Sequence, residues 1–163
     1  NLRWEKDFPT LLEAVHLLSE RRDVHLTIVG EGPQRRVIES SIQRLRLDGH
    51  VSLTGFVSDT GPYYLNADVF VLSSSSEGFA NVLVEALAHG DQVVSTRCPF
   101  GPSEILDAGA YGWRAPIGDP VALVSAIETA ADYPIDPRRL RQRAQAFTVS
   151  AAAGAYLDLL LSG

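Results

Sequence analysis

The apolar residues of this chain follow two patterns that alternate from one end to the other. Continuous apolar runs predict strands at 24–29, 51–54, 69–72, 92–96 and 112–115. Apolar residues at helical spacing predict helices at 11–18, 33–45, 62–66, 81–88, 102–107, 119–131, 137–146 and 149–161. Strands that alternate with helices and are apolar on both faces are typical of a parallel sheet with helices packed on both sides. We therefore predict a single α/β domain with a doubly wound, mostly parallel sheet.

Local signals mark where two of these helices begin. Asp7 and Thr10 are both residue types that cap helices, so either one can start the first helix. Pro33 suits the first turn of the second helix. The apolar side chains expected to face the core from that second helix are Val37, Ile38, Ile42 and Leu45.

Composition and charge narrow the class of protein. With 163 residues, of which 45% are hydrophobic and 21% charged, the chain resembles an ordinary globular domain. Its formal net charge of −6 argues against a nucleic acid partner. Cys98 is the only cysteine, which excludes an internal disulfide and favours a reducing, cytoplasmic location. The basic run 138–143 fits either a solvated helix face or a peripheral contact with the anionic inner face of the plasma membrane.

Four loops rich in small or polar residues follow predicted strands, and ligands of open parallel sheets bind at that edge. These loops lie at 30–33, 55–59, 73–81 and 99–104. Gly30-Glu31-Gly32 lacks the third glycine and the downstream acidic residue of a dinucleotide fingerprint, so an NAD-dependent dehydrogenase has little support. The sequence also contains no P-loop, no metal-ligand spacing of histidine and cysteine, and no nucleophile elbow.

The stretch 73–90 joins a serine-rich loop and a glycine to a helix, and this order favours anion binding at the helix N-terminus. Glu77 lies just before the helix. Glu85 lies two turns inside it, in an otherwise apolar segment. Asn81, Glu85 and His89 share one face of the helix. That face fits a solvated polar stripe as well as a surface that binds sugar hydroxyls, and the spacing alone leaves both interpretations open.

Seven residues separate Glu77 from Glu85, and this spacing resembles the E-x7-E signature of retaining glycosyltransferases of family GT4, the group 1 transferases with the GT-B fold. The signature lies within Ser-Glu-Gly-Phe-Ala-Asn-Val-Leu-Val-Glu-Ala-Leu-Ala-His-Gly. Further blocks similar to that family lie at 5–8, 28–33, 53–56, 67–73 and 101–106. This ordered set covers nearly the whole chain and is far more specific than any single motif.

The resemblance carries an expected architecture. GT-B enzymes have two Rossmann-like domains with the active site between them, and this chain resembles the C-terminal, donor-binding half. We expect a three-layer Rossmann-like domain over 1–163, with a mostly parallel sheet that lacks its first strand. The N-terminal acceptor domain is expected to lie outside this chain, so the fragment alone is expected to be inactive. The full enzyme would transfer a sugar from a nucleotide diphosphate sugar to a glycan, lipid-linked or small-molecule acceptor, with retention of configuration.

The resemblance also implies roles for individual residues. Lys6 and Glu77 are the implied catalytic residues, since Lys6 matches the lysine that neutralises the donor diphosphate and Glu77 the glutamate beside the transferred sugar. Glu85 matches the glutamate that binds the ribose hydroxyls. The other implied donor contacts are Gly78, Phe79, Ala80, Asn81 and Val82 at the sugar and phosphates, Phe56 and Val57 at the base, and Gly30 and Gly32 nearby. Such enzymes typically need no metal or cofactor, and a UDP-sugar is slightly favoured over a GDP-sugar as the donor.

Three features depart from the family pattern. Asn1 stands five residues before Lys6, where an arginine is usual, and this loss weakens the expected phosphate site. Asp91 and Gln92 replace a small or apolar residue and a proline, which removes a constraint on that loop. Ala80 replaces a proline or glycine. Asn1, Asp91 and Gln92 favour one alternative, an inactive nucleotide-sugar binding or interaction domain. A nucleotide-sugar epimerase with the GT-B fold is another.

Overall fold

The computed structural model describes residues 1–151, 153 and 161. Helices α1 to α7 span Phe8–Ser19, Arg35–Arg44, Gly61–Leu65, Asn81–His89, Pro102–Ile105, Pro120–Asp132 and Pro137–Gln145. Strands β1 to β5 span Leu26–Val29, Val51–Gly55, Val69–Leu72, Gln92–Thr96 and Trp113–Ala115. Short 3-10 turns lie at Trp4–Lys6 and Asp107–Gly109. Most of the helix predicted at 149–161 lies outside the described residues.

The strands pair in parallel throughout the described part of the chain. β1 pairs with β2, and β4 lies between β3 and β5. The predicted α/β fold with parallel strands is therefore confirmed. Among the described residues no strand pairing joins β1 to β3. Residues of both strands line a cavity of about 1080 Å³, which we call the groove.

Helices cover both faces of the strands, as a three-layer fold requires. One apolar core contains side chains of α1, α2 and α6 and includes Val94 of β4. The other contains side chains of α4, α5 and α7 and includes Val93. Val93 and Val94 are both fully buried. They belong to different cores because successive side chains of a strand point to opposite faces of the sheet.

Local sequence explains where several helices begin and end. Asp7, and not Thr10, caps α1, and its carboxylate accepts from the Thr10 backbone N–H at 3.4 Å and from the Thr10 hydroxyl at 2.7 Å. Asp119 and Asp136 cap α6 and α7 in a similar way. Gly90 ends α4 in the left-handed conformation, with φ of 89°, which glycine adopts without strain.

Two expectations for the second helix are wrong. Val37 is 46% exposed, because Ser41 instead completes the buried stripe with Ile38 and Ile42. Pro33 lies in a turn before α2 and not in its first helical turn. The hydrophobicity of Val37 did not reveal that it lies at the edge of the buried face of α2, outside its centre.

The basic run 138–143 belongs to α7 and is partly tied to the protein. Leu140 is fully buried within it. Arg143 donates to the carbonyl oxygen of Ile105 at 2.9 Å, and its guanidinium lies 5.3 Å from the centre of the Tyr111 ring. The run therefore presents less basic surface than its sequence indicates.

Within the described part of the chain, no helix has the length and apolar character needed to cross a membrane.

Candidate active site

The 3-10 turn at Trp4–Lys6 lies against the serine-rich loop that follows β3. The backbone N–H of Ser75 donates to the Glu5 carbonyl oxygen at 2.8 Å, and the Ser75 hydroxyl donates to the same oxygen at 3.2 Å. The Ser73 hydroxyl donates to the Lys6 carbonyl oxygen at 2.6 Å. These serines therefore hold the turn at the carboxyl end of β3, where the sequence analysis expected a ligand.

Lys6 and Glu77 form an ion pair at this edge. The Lys6 ammonium and the Ser74 hydroxyl both donate to the Glu77 Oε1 atom at 2.6 Å. The side chain of Glu77 is 12% exposed and that of Lys6 is 26% exposed, so the pair is largely shielded from water. Ser74 is fully buried, and its carbonyl oxygen accepts from the Thr96 hydroxyl. Ser74 was not predicted from the sequence, because a run of four serines does not indicate which one meets a carboxylate.

Glu85 lies on the exposed face of α4, as expected, and one of its oxygens is bound from another helix. The Tyr64 hydroxyl, from α3, donates to Glu85 Oε2 at 2.9 Å. Tyr64 is 8% exposed, and its burial, followed by the adjacent carboxylate, raises the pKa of its hydroxyl above the usual value. Its ring stacks on His89 at 4.9 Å and contacts Phe70 at 5.7 Å. Tyr64 was not predicted from the sequence, since no spacing links it to Glu85.

The loop before α4 offers mainly its backbone to a ligand. Ala80 is 2% exposed, so its side chain belongs to the core. The N–H of Asn81 donates to the Phe79 carbonyl oxygen at 2.9 Å, so this amide of the first turn already has a partner. Within the described residues, the N–H groups of Gly78, Phe79 and Val82 have no acceptor. These three amides are therefore available to an anion at the helix N-terminus.

Gly101 packs directly against this loop. A Cβ atom at position 101 would overlap the Gly78 carbonyl oxygen and lie 3.1 Å from the Ala80 nitrogen. Only a glycine allows this close approach of two backbones. The loop after β4 thus helps to set the conformation of the loop before α4.

The expected site residues line two cavities that share Lys6. A small cavity of about 790 Å³ is lined by Asn1, Arg3, Trp4, Glu5, Lys6, Pro33, Gln34, Ser76, Glu77 and Gly78. The groove is lined by Lys6 and by five further members of the predicted set, namely Gly30, Phe56, Val57, Val82 and Glu85. The catalytic and ribose-binding candidates thus occupy adjoining hollows at one edge of the sheet.

Four predicted residues line neither cavity: Gly32, Phe79, Ala80 and Asn81. Gly32 has a structural reason for being a glycine, because a Cβ there would lie 2.6 Å from the backbone nitrogen and oxygen of Leu2. The Phe79 ring is 49% exposed and packs 5.8 Å from the Phe147 ring. For Gly32 and Ala80, a role in ligand binding would therefore depend on the backbone.

Two basic side chains face the small cavity. Besides Lys6, it is lined by Arg3, whose side chain is 60% exposed and lies 3.8 Å from the Glu5 carboxylate. Such an exposed and distant pair holds a guanidinium only weakly.

In the part of the chain that the structure describes, no group of three or more His, Cys, Asp or Glu side chains is arranged to hold a metal ion.

The turn after α4 accommodates both unusual residues noted in the sequence. The Gln92 amide donates to the Ile135 carbonyl oxygen at 2.9 Å and accepts from the Ile135 N–H at 2.8 Å. This reciprocal pair ties the start of β4 to the segment before α7, so the loop is held without a proline. Asp91 is 7% exposed, and burial raises the pKa of its carboxyl to about 6, although the charges of His89 and Arg141 oppose the shift.

Comparison with solved structures defines the class of fold. The fold matches that of HepE from Anabaena, solved with UDP, with a TM-score of 0.83 and 24% identity over 100% of this chain and 47% of that protein. HepE solved with UDP-glucose gives a TM-score of 0.82 and 25% identity. The fold is thus of the GT-B glycosyltransferase type.

The sequence places the chain in one family of that class. The profile of the family "Glycosyl transferases group 1" matches residues 1–132, and the chain belongs to this family. The lipopolysaccharide core biosynthesis glycosyltransferase LpsE of Rhizobium meliloti is 36% identical over 96% of this chain and 46% of its own length. LpsD of the same organism is 31% identical over 97% and 46%. The chain therefore spans about half the length of the relatives that it matches.

Proposed function

We propose that this chain is the C-terminal, donor-binding domain of a retaining GT4 glycosyltransferase. The observation that carries the proposal is the Lys6–Glu77 ion pair beside the N-terminus of α4, with Glu85 two turns further along the same helix. The complete enzyme transfers a sugar from a nucleotide diphosphate sugar to an acceptor, keeping the configuration at the anomeric carbon. Membership of the group 1 family supports this assignment.

The donor diphosphate binds where positive charge and free amides converge. Its oxygens compete with Glu77 for the Lys6 ammonium and accept from the amides of Gly78, Phe79 and Val82. Charge that develops on the leaving phosphate is then stabilised by groups already in place. Glu77, held by Ser74, stays beside the sugar that is transferred. No step in this scheme requires a metal or a cofactor.

The donor is a UDP-sugar in preference to a GDP-sugar, with the base near Phe56 and Val57 and the ribose at Glu85. HepE, which shares the fold, was solved with UDP and with UDP-glucose. The acceptor is a glycan or lipid-linked saccharide, a class suggested by the lipopolysaccharide core transferases LpsE and LpsD. Such acceptors would bring the enzyme to the inner face of the plasma membrane from the cytoplasm.

Calorimetric titration of this chain with UDP, GDP and ADP tests the donor site. UDP should bind most tightly, and Glu85→Gln should weaken UDP binding about tenfold, because a hydrogen bond to a charged group is lost. Glu13→Gln, a change to an exposed carboxylate on α1, is the matched control and should bind UDP like the wild type. No binding of any nucleotide at millimolar concentration would contradict the proposal.

An inactive nucleotide-sugar binding domain is the second candidate, and Asn1 favours it. Asn1 lines the same small cavity as Lys6. The resemblance to GT4 transferases implies an arginine at this position. Arg3 lines that cavity too and can supply a second cation, which supports an active enzyme. The test is turnover of UDP-sugars by the full-length protein: Glu77→Gln should reduce kcat about 100-fold or more. Donor binding without any turnover would favour the inactive domain, and an epimerised nucleotide sugar would indicate an epimerase.

We further propose that another parallel strand, N-terminal to Asn1 in the complete protein, fills the groove. Edges of β1 and β3 line the groove from two sides, and apolar side chains of α1 and α6 lie along it. The backbone nitrogen of Asn1 lies 3.2 Å from the Cβ position of Gly30, just past the carboxyl end of β1. A strand that lies in the groove and runs parallel to β1 would have its carboxyl end at this point. It could therefore continue directly into Asn1, without an additional loop.

Hydrogen exchange tests the additional strand. A longer protein that contains the preceding residues should protect the amides of Thr27, Val29 and Val71 more strongly than the 163-residue chain does. The amides of β5, which lie away from the groove, should keep their rates and act as the internal control. Equal exchange at Thr27, Val29 and Val71 in both proteins would contradict the proposal.

A further inference from the structure

Tyr64 is buried, yet its hydroxyl meets an exposed carboxylate. The residue is 8% exposed, whereas Glu85 lies on the solvent side of α4. The hydroxyl donates to Glu85 Oε2 at 2.9 Å, and the bond joins α3 to α4. A glutamate side chain on a helix surface ordinarily samples several rotamers. Here one of its two oxygens has a fixed partner.

Aromatic packing holds Tyr64, the hydrogen-bond donor to Glu85, in place. The Tyr64 ring stacks on His89 with 4.9 Å between centroids and an angle of 18°, and it contacts Phe70 at 5.7 Å. His89 is itself fixed, because its Nδ1 atom lies 2.9 Å from the Glu85 carbonyl oxygen. Burial and the neighbouring carboxylate both raise the pKa of Tyr64, so the hydroxyl keeps its proton at neutral pH. Tyr64 is thus a rigid hydrogen-bond donor that keeps its proton.

We infer that Tyr64 is a positioning residue that orients Glu85 for the two adjacent hydroxyls of a ribose. With Oε2 bound to Tyr64, the carboxylate is held in one rotamer and presents Oε1, with the second lone pair of Oε2, to the groove. A preoriented carboxylate binds a vicinal diol without first losing rotamer freedom. The inference rests on the proposed function, because it takes the ribose as the ligand of Glu85. It predicts that Tyr64 sets the selectivity of the site for ribonucleotides.

The experiment compares UDP with 2′,3′-dideoxy-UDP by calorimetry on the whole chain. The wild type should bind UDP about tenfold more tightly than the dideoxy compound, since a site built for hydroxyls rejects an analogue that lacks them. Tyr64→Phe should lower this ratio about fivefold through weaker UDP binding alone, while binding of the dideoxy compound stays unchanged. Tyr133→Phe removes a hydroxyl from a residue that is 74% exposed and should leave both affinities at the wild-type values.

A double variant separates positioning from a general structural role. If Tyr64 acts through Glu85, Tyr64→Phe in a Glu85→Gln background should cost no further UDP affinity. Additive losses, or an unchanged ratio in Tyr64→Phe, would overturn the inference and leave the proposed function intact. A wild type that binds both nucleotides equally, or neither, would overturn the assignment of Glu85 to ribose and the inference with it.

Circular dichroism establishes whether Tyr64→Phe is folded. If it is not, His89→Ala provides the test, because it removes the stacked ring and leaves the Tyr64 hydroxyl present. This variant should lower the ratio of UDP affinity to dideoxy-UDP affinity by a smaller factor, about twofold, because the Tyr64 hydroxyl would be held less firmly. An unchanged ratio in a folded His89→Ala protein would then overturn the inference.

Discussion

The Lys6 ammonium donates to the Glu77 carboxylate at 2.6 Å, although the two residues lie 71 positions apart in the chain. The contact neutralises the charge of Lys6 before any ligand binds. Under the proposed function, a donor diphosphate would have to draw the ammonium away from a carboxylate that also accepts from Ser74. Binding of the phosphate would then release Glu77 from Lys6.

The same contact has a measurable effect on stability. Lys6→Met should lower the free energy of unfolding by about 1–3 kcal/mol, because Glu77 is 12% exposed and would keep only Ser74 as a hydrogen-bond partner. The double variant Lys6→Met with Glu77→Gln should recover part of that loss. Urea denaturation at pH 7 provides the measurement. Arg44→Met is the control, since its pair with Glu13 is 4.0 Å long and exposed, and it should change stability by less than about 0.5 kcal/mol.

Asp91 should make the stability of the protein depend on pH. Burial raises the pKa of its carboxyl to about 6 in the folded state, whereas an ordinary aspartate titrates near 3.8. Between these values the folded protein retains a proton that the unfolded chain has lost. Stability should therefore fall as the pH rises from about 4 to about 6, by at most about 3 kcal/mol.

Asp91→Asn removes this titration. Its free energy of unfolding should vary less with pH across that window than that of the wild type, and Asp48→Asn, at an exposed position, should follow the wild type. Chemical denaturation at half-unit pH intervals measures the difference. Parallel pH profiles for the wild type and Asp91→Asn would show that the raised pKa is wrong.

Gln92 should matter for stability through its two bonds to Ile135. Gln92→Leu removes both bonds and leaves the Ile135 N–H and carbonyl without that partner, which should cost about 1–3 kcal/mol. Thermal unfolding of the variant measures the loss. Gln43→Leu makes the same chemical change at an exposed position of α2 and should stay within about 0.5 kcal/mol of the wild type. Equal effects of the two substitutions would contradict this role.

Gly101→Ala should weaken nucleotide binding more than it weakens the fold. The added methyl group would displace the Gly78 carbonyl and the Ala80 nitrogen, and the amides before α4 would move with them. UDP affinity should fall about tenfold, as expected when groups that bind an anion are displaced. Gly49→Ala meets nothing within 4 Å and should keep the wild-type affinity. Unchanged UDP binding in Gly101→Ala would show that this loop does not contact the donor.

The sequence predicted the elements of the fold well, because each depends on nearby residues. The buried strand at 92–96 matches β4, and the glycine at position 90 ends α4 as expected. Asp7 was one of two candidates for the first cap and is the one used. Val37 was misplaced because its exposure depends on how α2 packs, and the hydrophobicity of the residue carries no information about that.

The site was harder to predict, because its contacts join distant segments. Glu77 was predicted through the family signature and Lys6 through the wider resemblance, and no spacing in the sequence showed that their side chains would touch. Tyr64 was missed altogether, although it donates to a residue that the signature includes. The roles assigned to these residues remain predictions, which the nucleotide titrations are designed to test.

The groove between β1 and β3 also has a practical consequence. Backbone groups along unpaired strand edges can pair with any extended peptide that reaches them. Molecules of the 163-residue chain can therefore associate with one another through these edges at high concentration. Biophysical work on the domain should begin with light scattering over a dilution series, because self-association would otherwise be mistaken for ligand-induced change.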